Sequence, residues 1–356
     1  MLADPLNRTL VYVGSLSDGP DRDSGWVSAF TALGWDVIPF GSDVAVQGPR
    51  ALRWLARRLH VGAAHRHMRA ALVALCRSER PAWVHFRLPL AFTRADIEAI
   101  RSTGAIVTDY FNDDPFSPRR VPGLHRRFRR ALPAYDAHFV YRRHNVDAYR
   151  AAGARHVEHC PPALDRVRLG SEAAAECVQP ATGGFVADAA FLGHYEADGR
   201  LDAVRALDAA GFRVAVHGAG WTDALRAAGL THLLPADPIF GAGYRQRYRD
   251  SIAGLCFFSR LNRDSWTERP LEIVAAGGAL VCERSDEALG HFREGEEALF
   301  FSSPGELVDA CRRLRDEAGL RERLVAGAAA RLVAGRFDIA DRARQVEAFV
   351  RTRLAR

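Results

Sequence analysis

Glu268, Arg269 and Glu272 crowd the start of the run TERPLEIVAAGGALV (267–281), where a charged stretch tips into an apolar segment and a Gly-Gly pair. The spacing predicts Pro270 at the first helical position, with Arg269 as the cap and Glu272 as the third residue. A glutamate there suits the positive end of the helix dipole, so capping explains the pattern. A ligand explains it as well, because Arg260 and Arg263 stand just upstream in SRLNRDSWTERPLE. Three carboxylates, Asp109, Asp113 and Asp114, gather in DYFNDDPFSP. Asp-Asp-Pro is a common turn, yet three carboxylates after one strand exceed what a turn needs. Both readings stay open. His85 lies near the end of the run AWVHF, where a structural role is the expectation. His194 follows Gly193 in FLGHYEADGR, and His217, Gly218, Gly220 and Trp221 follow one another in FRVAVHGAGW. Gly14 and Ser15 suit close backbone approach to a ligand, although no GxGxxG accompanies them.

Composition narrows the chemistry. All 49 basic residues are arginine. This excludes a lysine Schiff base and a P-loop lysine, so any bound phosphate must be met by arginine, helix N-termini or backbone N–H groups. The six cysteines (76, 160, 177, 256, 282 and 311) show no CxxC pair and no metal-like spacing to histidine. Neither a disulfide framework nor a metal site is expected. No apolar run approaches the roughly 20 residues of a membrane span. The stretch MLADPLNRTLVYVG lacks the order of a signal peptide, so a cytoplasmic protein is expected.

The elements that must carry these residues alternate. Strand-like runs fall at 9–14, 35–40, 82–87, 105–110 and 136–141, then at 188–193, 212–218, 252–258, 279–283 and 297–301, with helical patterns between them. Such alternation implies parallel βαβ units and doubly wound sheets. At 356 residues, two domains are expected. The predicted boundaries are an N-terminal domain over 1–164, a linker over 165–184 and a second domain over 185–340. A C-terminal helix over 341–356 is expected to pack back toward the first domain. Open parallel sheets bind ligands beyond the carboxyl ends of their strands, and two facing sheets would make an interdomain cleft.

The segment from about 252 to 345 resembles the C-terminal half of group 1 glycosyltransferases. It is most similar to the subset of spore-maturation glycosyltransferases of bacilli. IAGLCFFSR, TERPLEIVAAGGALVCERSDEALGHFREGEEALFF and the helical tail through RARQVEAF carry the likeness, together with FLG and VHGAGW. The resemblance implies the GT-B architecture, two Rossmann-like α/β domains, with no cofactor and no catalytic metal. The C-terminal half would bind a nucleotide-diphosphate sugar as donor substrate. It implies that Glu272 holds the ribose hydroxyls. Asp264 stands where retaining members carry a second glutamate, and Thr267 lies among the donor residues. Arg260, Arg263 and Arg269 would meet the diphosphate, helped by the helix opening near Ser285 to Leu289. His217, Gly218 and Trp221 would line the base or diphosphate side, and Gly14, Ser15, Gly193 and His194 complete the donor set. Asp113 or Asp114 would act as general base in an inverting reaction.

The acceptor stays open among lipid, polysaccharide, protein and small molecule. Basic clusters at 50–60 (RALRWLARRLH) and 119–130 (RRVPGLHRRFRR) would suit an anionic or lipid-linked acceptor, or peripheral contact with the inner face of a membrane. They lack the interleaved aromatics of a nucleic-acid platform, so no nucleic acid is expected. Two other functions fit the same residues: a non-catalytic sugar-nucleotide-binding protein, and a GT-B type nucleotide-sugar epimerase.

Overall fold

The computed structural model describes residues 7–16, 23–45, 49–50, 54, 56, 59–118, 125–170 and 184–355. The chain divides into two compact units, Met1–Pro162 with Asp338–Arg356, and Ala163–Phe337.

The first unit is built on a six-stranded parallel sheet. Its strands are β1 (Thr9–Gly14), β2 (Asp36–Gly41), β3 (Trp83–Arg87), β4 (Ile106–Phe111), β5 (Ala137–Val140) and β6 (Val157–His159), in the order β2-β1-β3-β4-β5-β6. Helices α1 (Ser24–Ala32), α2 (Ala63–Glu79), α3 (Arg94–Arg101), α4 (Arg126–Ala131) and α5 (Asn145–Ala151) flank it. Strands buried on both faces read as continuous apolar runs, which is why VYV and WVHF mark them without alternation. His85 belongs to this core. It is fully buried among Tyr12, Trp26, Phe30 and Trp83, and its Nδ1 lies 2.8 Å from the Thr108 hydroxyl. Burial, with Arg87 nearby, lowers its pKa to about 3.

The second unit holds five parallel strands, β7 (Ala187–Leu192), β8 (Val214–His217), β9 (Ser251–Cys256), β10 (Leu280–Glu283) and β11 (Leu299–Phe301), ordered β11-β10-β9-β7-β8. Its helices are α6 (Arg166–Leu169), α7 (Arg200–Ala209), α8 (Trp221–Ala227), α9 (Gly241–Arg249), α10 (Arg269–Ala275), α11 (Asp286–His291), α12 (Pro304–Asp316) and α13 (Leu320–Ala334). In this sheet the first and third strands of the unit are neighbours, β7 beside β9. The chain winds outward in both directions from them, making a topological switch point at their carboxyl ends. The first sheet has the same arrangement at β1 and β3.

Two expectations shift. Residues 165–169, assigned to a linker, belong to the second unit. Leu164 and Leu169 pack in its core, and Asp165 caps α6 by accepting from Arg168 N at 2.9 Å. Residues 171–183 lie outside the described residues. The last helix, α14 (Ile339–Leu354), starts two residues earlier than expected. Its Glu347 accepts from the buried Trp35 Nε1 at 2.9 Å, and its Gln345 donates to Glu158 and the His159 carbonyl, so it is part of the first unit. Its boundary is a capping box on Asp338 and Asp341, a signal readable in FDIADRA. Strand β6, three residues long, and helix α2 went unassigned from sequence.

Among the described residues, no helix is long and apolar enough to cross a membrane. The five described cysteines are free and buried, and Cys177 lies outside the described residues. The basic clusters are also only partly described. Trp54 is exposed, and Arg127 donates to the carbonyl of His60 at 2.7 Å.

Candidate functional site

At the switch point of the second sheet, the chain leaving β7 meets the chain leaving β8. Gly193 N donates to the His217 carbonyl at 2.9 Å, and Tyr195 N to the Ala219 carbonyl at 2.8 Å. The indole of Trp221, fully buried at the start of α8, donates to the Gly193 carbonyl at 2.8 Å. A Cβ added at Gly218 would lie 2.0 Å from that same carbonyl oxygen, so only glycine allows the two loops to touch. His217 sits behind them with Nδ1 3.1 Å from the Asp237 carbonyl, and burial lowers its pKa.

Arg269 enters this place from the adjacent helix. A Cβ at Gly193 would sit 3.3 Å from Arg269 Nη2, so the guanidinium lies against the Gly193 backbone. Helix α10 begins at Arg269 itself, with Glu268 as its cap and Pro270 in its first turn, one residue earlier than the spacing predicted. The reason lies in the backbone: Glu272 N already donates to the Glu268 carbonyl at 3.0 Å. Thr267 Oγ1 accepts from Arg269 N at 3.3 Å, tightening the entry.

Glu272 is buried, and both its oxygens are engaged. Oε1 accepts from Arg168 and Oε2 accepts from the Tyr244 hydroxyl at 2.7 Å, with Arg269 Nη1 3.4 Å from Oε2. Burial works to raise its pKa, but Arg168, Arg269 and the hydrogen bonds outweigh it and hold the carboxyl below its ordinary range. Arg269 also donates to the Tyr244 hydroxyl and remains a quarter exposed.

On the other side of Gly193, His194 Nε2 lies 2.7 Å from Glu196 Oε1, while Ser259, just past β9, donates to Glu196 Oε2 at 2.6 Å. Arg200 at the start of α7 donates to the His194 carbonyl at 2.7 Å. Burial opposes ionisation of Glu196, but the bonds from His194 and Ser259 and the charge of Arg200 bring its pKa down to about 2. The His194 side chain itself is two-thirds exposed (67%). Ser259 also organises the loop that follows, accepting from Asn262 N at 3.1 Å while its carbonyl accepts from Asp264 N at 2.9 Å.

The structure therefore brings together Gly193, His194, Gly218, Trp221, Arg269 and Glu272. Arg260 is exposed and paired with Glu283, whose second oxygen accepts from Phe258 N at 2.8 Å. Arg263 is exposed and in the left-handed region (φ 52°), and Asp264 is half-buried beside it. Helix α11 opens at Asp286 under the cap Ser285, which accepts from Ala288 N at 3.0 Å.

Gly14 and Ser15 lie in the first unit, at its own switch point. Ser15 N donates to Asp23 Oδ2 at 2.6 Å, Asp23 pairs with Arg87, and a Cβ at Gly14 would collide with the Asp23 carboxylate at 2.2 Å. In the loop after β4, Asp114 is fully buried. It accepts from Phe116 N at 2.9 Å, as an Asx turn does, and lies 3.4 Å from His144 Nε2. Asp113 keeps its side chain about a third exposed (31%), near His125. Asp109 is buried against His138 in the sheet.

Sequence reasoning passed over Arg168, Glu196, Tyr244 and Ser259. One signal for them exists: Tyr244 and Tyr248 are spaced i, i+4 in GAGYRQRYRD. Arg168 lies about 100 residues from Glu272 and has no local mark.

Residues 200–348 match a family model described as "Glycosyl transferase-like". Among curated proteins, none matches this chain in sequence. Solved structures resemble it along nearly its whole length. Sucrose-phosphate synthase from Thermosynechococcus elongatus is 12% identical with a TM-score of 0.67, over 98% of this chain and 99% of that one. HepE from Anabaena, solved with UDP and glucose, is 12% identical with a TM-score of 0.65, over 97% and 100%. A trehalose 6-phosphate synthase from Burkholderia multivorans is 13% identical with a TM-score of 0.61, over 98% and 97%. At these identities the likeness is one of fold, and the fold is GT-B. The family match and that fold together support a glycosyltransferase.

Proposed function

We infer that the protein transfers a sugar from a nucleotide-diphosphate sugar to an acceptor hydroxyl, with the donor held by the second unit. The observation that carries this is the meeting of Arg269, Gly193 and Glu272 at the β7/β9 switch point, where open α/β sheets bind their ligands. Arg269 brings a partly exposed guanidinium against a glycine backbone, a combination suited to phosphate oxygens. Glu272 brings a carboxylate held ionised by its neighbours, suited to a vicinal diol. Solved GT-B neighbours that carry UDP with glucose, or UDP-glucose, make UDP-sugars the first donors to test. Our finer reading, supported by the resemblance of the segment from about 252 to 345, is that the chain is a member of the spore-maturation subset.

Transfer proceeds as the nucleoside diphosphate leaves an oxocarbenium-like centre. Arg269 stabilises the charge that builds on the leaving phosphate, typically the largest protein contribution to such a step. The phosphate charge is assigned to arginine, with no metal and no cofactor in the reading. An inverting reaction needs a general base, for which Asp113 is the better candidate because Asp114 is buried and accepts from Phe116 N. In a retaining reaction these aspartates position the substrates instead. Thermal-shift measurements with UDP, GDP, ADP and their sugars test the donor assignment, since a ligand of the native state raises the melting temperature. A shift abolished by Glu272→Ala and Arg269→Ala is expected. No shift with any nucleotide would overturn the assignment.

A further inference from the structure

Helix α9 carries Tyr244 and Tyr248 one turn apart, their rings edge to face with centroids 5.1 Å apart. The Tyr248 hydroxyl accepts from Leu192 N at 3.3 Å, the residue before Gly193. The Tyr244 hydroxyl donates to Glu272 at 2.7 Å and accepts from Arg269. The helix thus ties the end of β7 to the start of α10 through two phenols. Arg269 Nη1 and Glu272 Oε2 stand 3.4 Å apart, longer than the ~2.7–2.9 Å of a charge-assisted hydrogen bond. Between them stands the Tyr244 hydroxyl. The Arg269 guanidinium also lies 5.5 Å from the Tyr244 ring centroid, so the ring supports the cation it orients.

We propose that Tyr244 is a positioning residue of the donor site: its hydroxyl, bridging Arg269 and Glu272, keeps their 3.4 Å ion pair from closing into a direct hydrogen-bonded one and holds the guanidinium beside Gly193 for the donor's diphosphate. This rests on the donor assignment above. Without the hydroxyl nothing separates the two charges. Arg269 then closes on Glu272, and the N–H groups that would serve a phosphate are spent on a carboxylate. The loss falls on the phosphate contacts, because the ring and the packing of α9 stay in place.

The test is the affinity gained on going from nucleoside monophosphate to diphosphate, measured by calorimetry on wild type and on Tyr244→Phe. The base is whichever of uridine, guanosine and adenosine binds the wild type most tightly. The variant is expected to lose about tenfold of that gain while its monophosphate affinity stays within about twofold. An unchanged gain, or an equal loss for both nucleotides, overturns the role of Tyr244 and leaves the donor site standing. No binding of any of these nucleotides by wild type removes the donor site and this proposal with it. Should Tyr244→Phe fail to fold, a crystal structure of wild type soaked with UDP decides. Arg269 on a phosphate oxygen, with the Tyr244 hydroxyl still on the guanidinium, supports the proposal. Arg269 paired directly with Glu272 and away from the phosphates overturns it.

Discussion

Gly218 and Gly193 touch backbone to backbone: a methyl group on Gly218 would lie 2.0 Å from the Gly193 carbonyl oxygen and 2.9 Å from His194 N. The approach is enforced from the other side by Trp221, which donates to the same carbonyl. The loops after β7 and β8 are in this way locked into one rigid wall beside Arg269.

Gly218→Ala is therefore expected to cost about 1–3 kcal/mol, the usual penalty of overpacking a closed contact. Urea unfolding measures it. Nucleotide-induced thermal shift should fall with it, because relief of the collision moves the Gly193 peptide. A variant as stable as wild type would contradict the contact.

Trp221→Phe keeps an aromatic ring against Phe191 and Tyr195 but leaves the Gly193 carbonyl without its indole donor. A cost of about 1–2 kcal/mol in unfolding free energy is expected.

Arg168→Ala uncovers Glu272 Oε1 and leaves the carboxylate to Arg269 and Tyr244. With the pair partly buried, a loss of about 1–3 kcal/mol is expected. In Glu272→Gln the carboxylate charge that offsets both arginines is gone. A double-mutant cycle over the two positions should show coupling of about 1 kcal/mol or more. Additive effects would mean that Arg168 and Glu272 do not interact.

Glu196 sets a pH dependence. Its folded pKa, about 2, lies below the ordinary 4.5, so the unfolded chain takes up this proton first as pH falls. The stabilisation is present in full above about pH 4.5 and is lost as pH drops toward about 2. Glu196→Gln should flatten the acid limb of the stability–pH curve in that window, by on the order of 1 kcal/mol after allowing for solvent screening. An acid limb identical to wild type would refute the assignment.

Much of the fold was written locally. Strands buried on both faces must be continuous apolar runs, so segments such as TLVYVG and IAGLCFF marked ten of the eleven described strands within two residues of where they lie, and the resemblance over 252–345 pointed to the same sheet. The glycines and polar residues after those strands were legible for the same reason, since parallel sheets gather their functional residues at one edge. Glu272 and Arg269 could be read from the chain as charged residues at a helix entry after a strand, which are local facts; their donor roles came from the resemblance.

What joins them was not legible. Arg168 meets Glu272 across about 100 residues, Glu196 meets Ser259 across 63, and Tyr244 reaches Arg269 across 25. Such pairings depend on which strands become neighbours and on which way each helix turns its side chains, and only the tertiary structure decides these. It also shows that one oxygen of the Asp114 carboxylate accepts from Phe116 N, the turn bond that DDP allows. The helix entry shifted from Arg269 to Glu268 for a related reason: a cap is set by where the backbone first closes its hydrogen bonds, and several neighbouring residues were chemically able to serve.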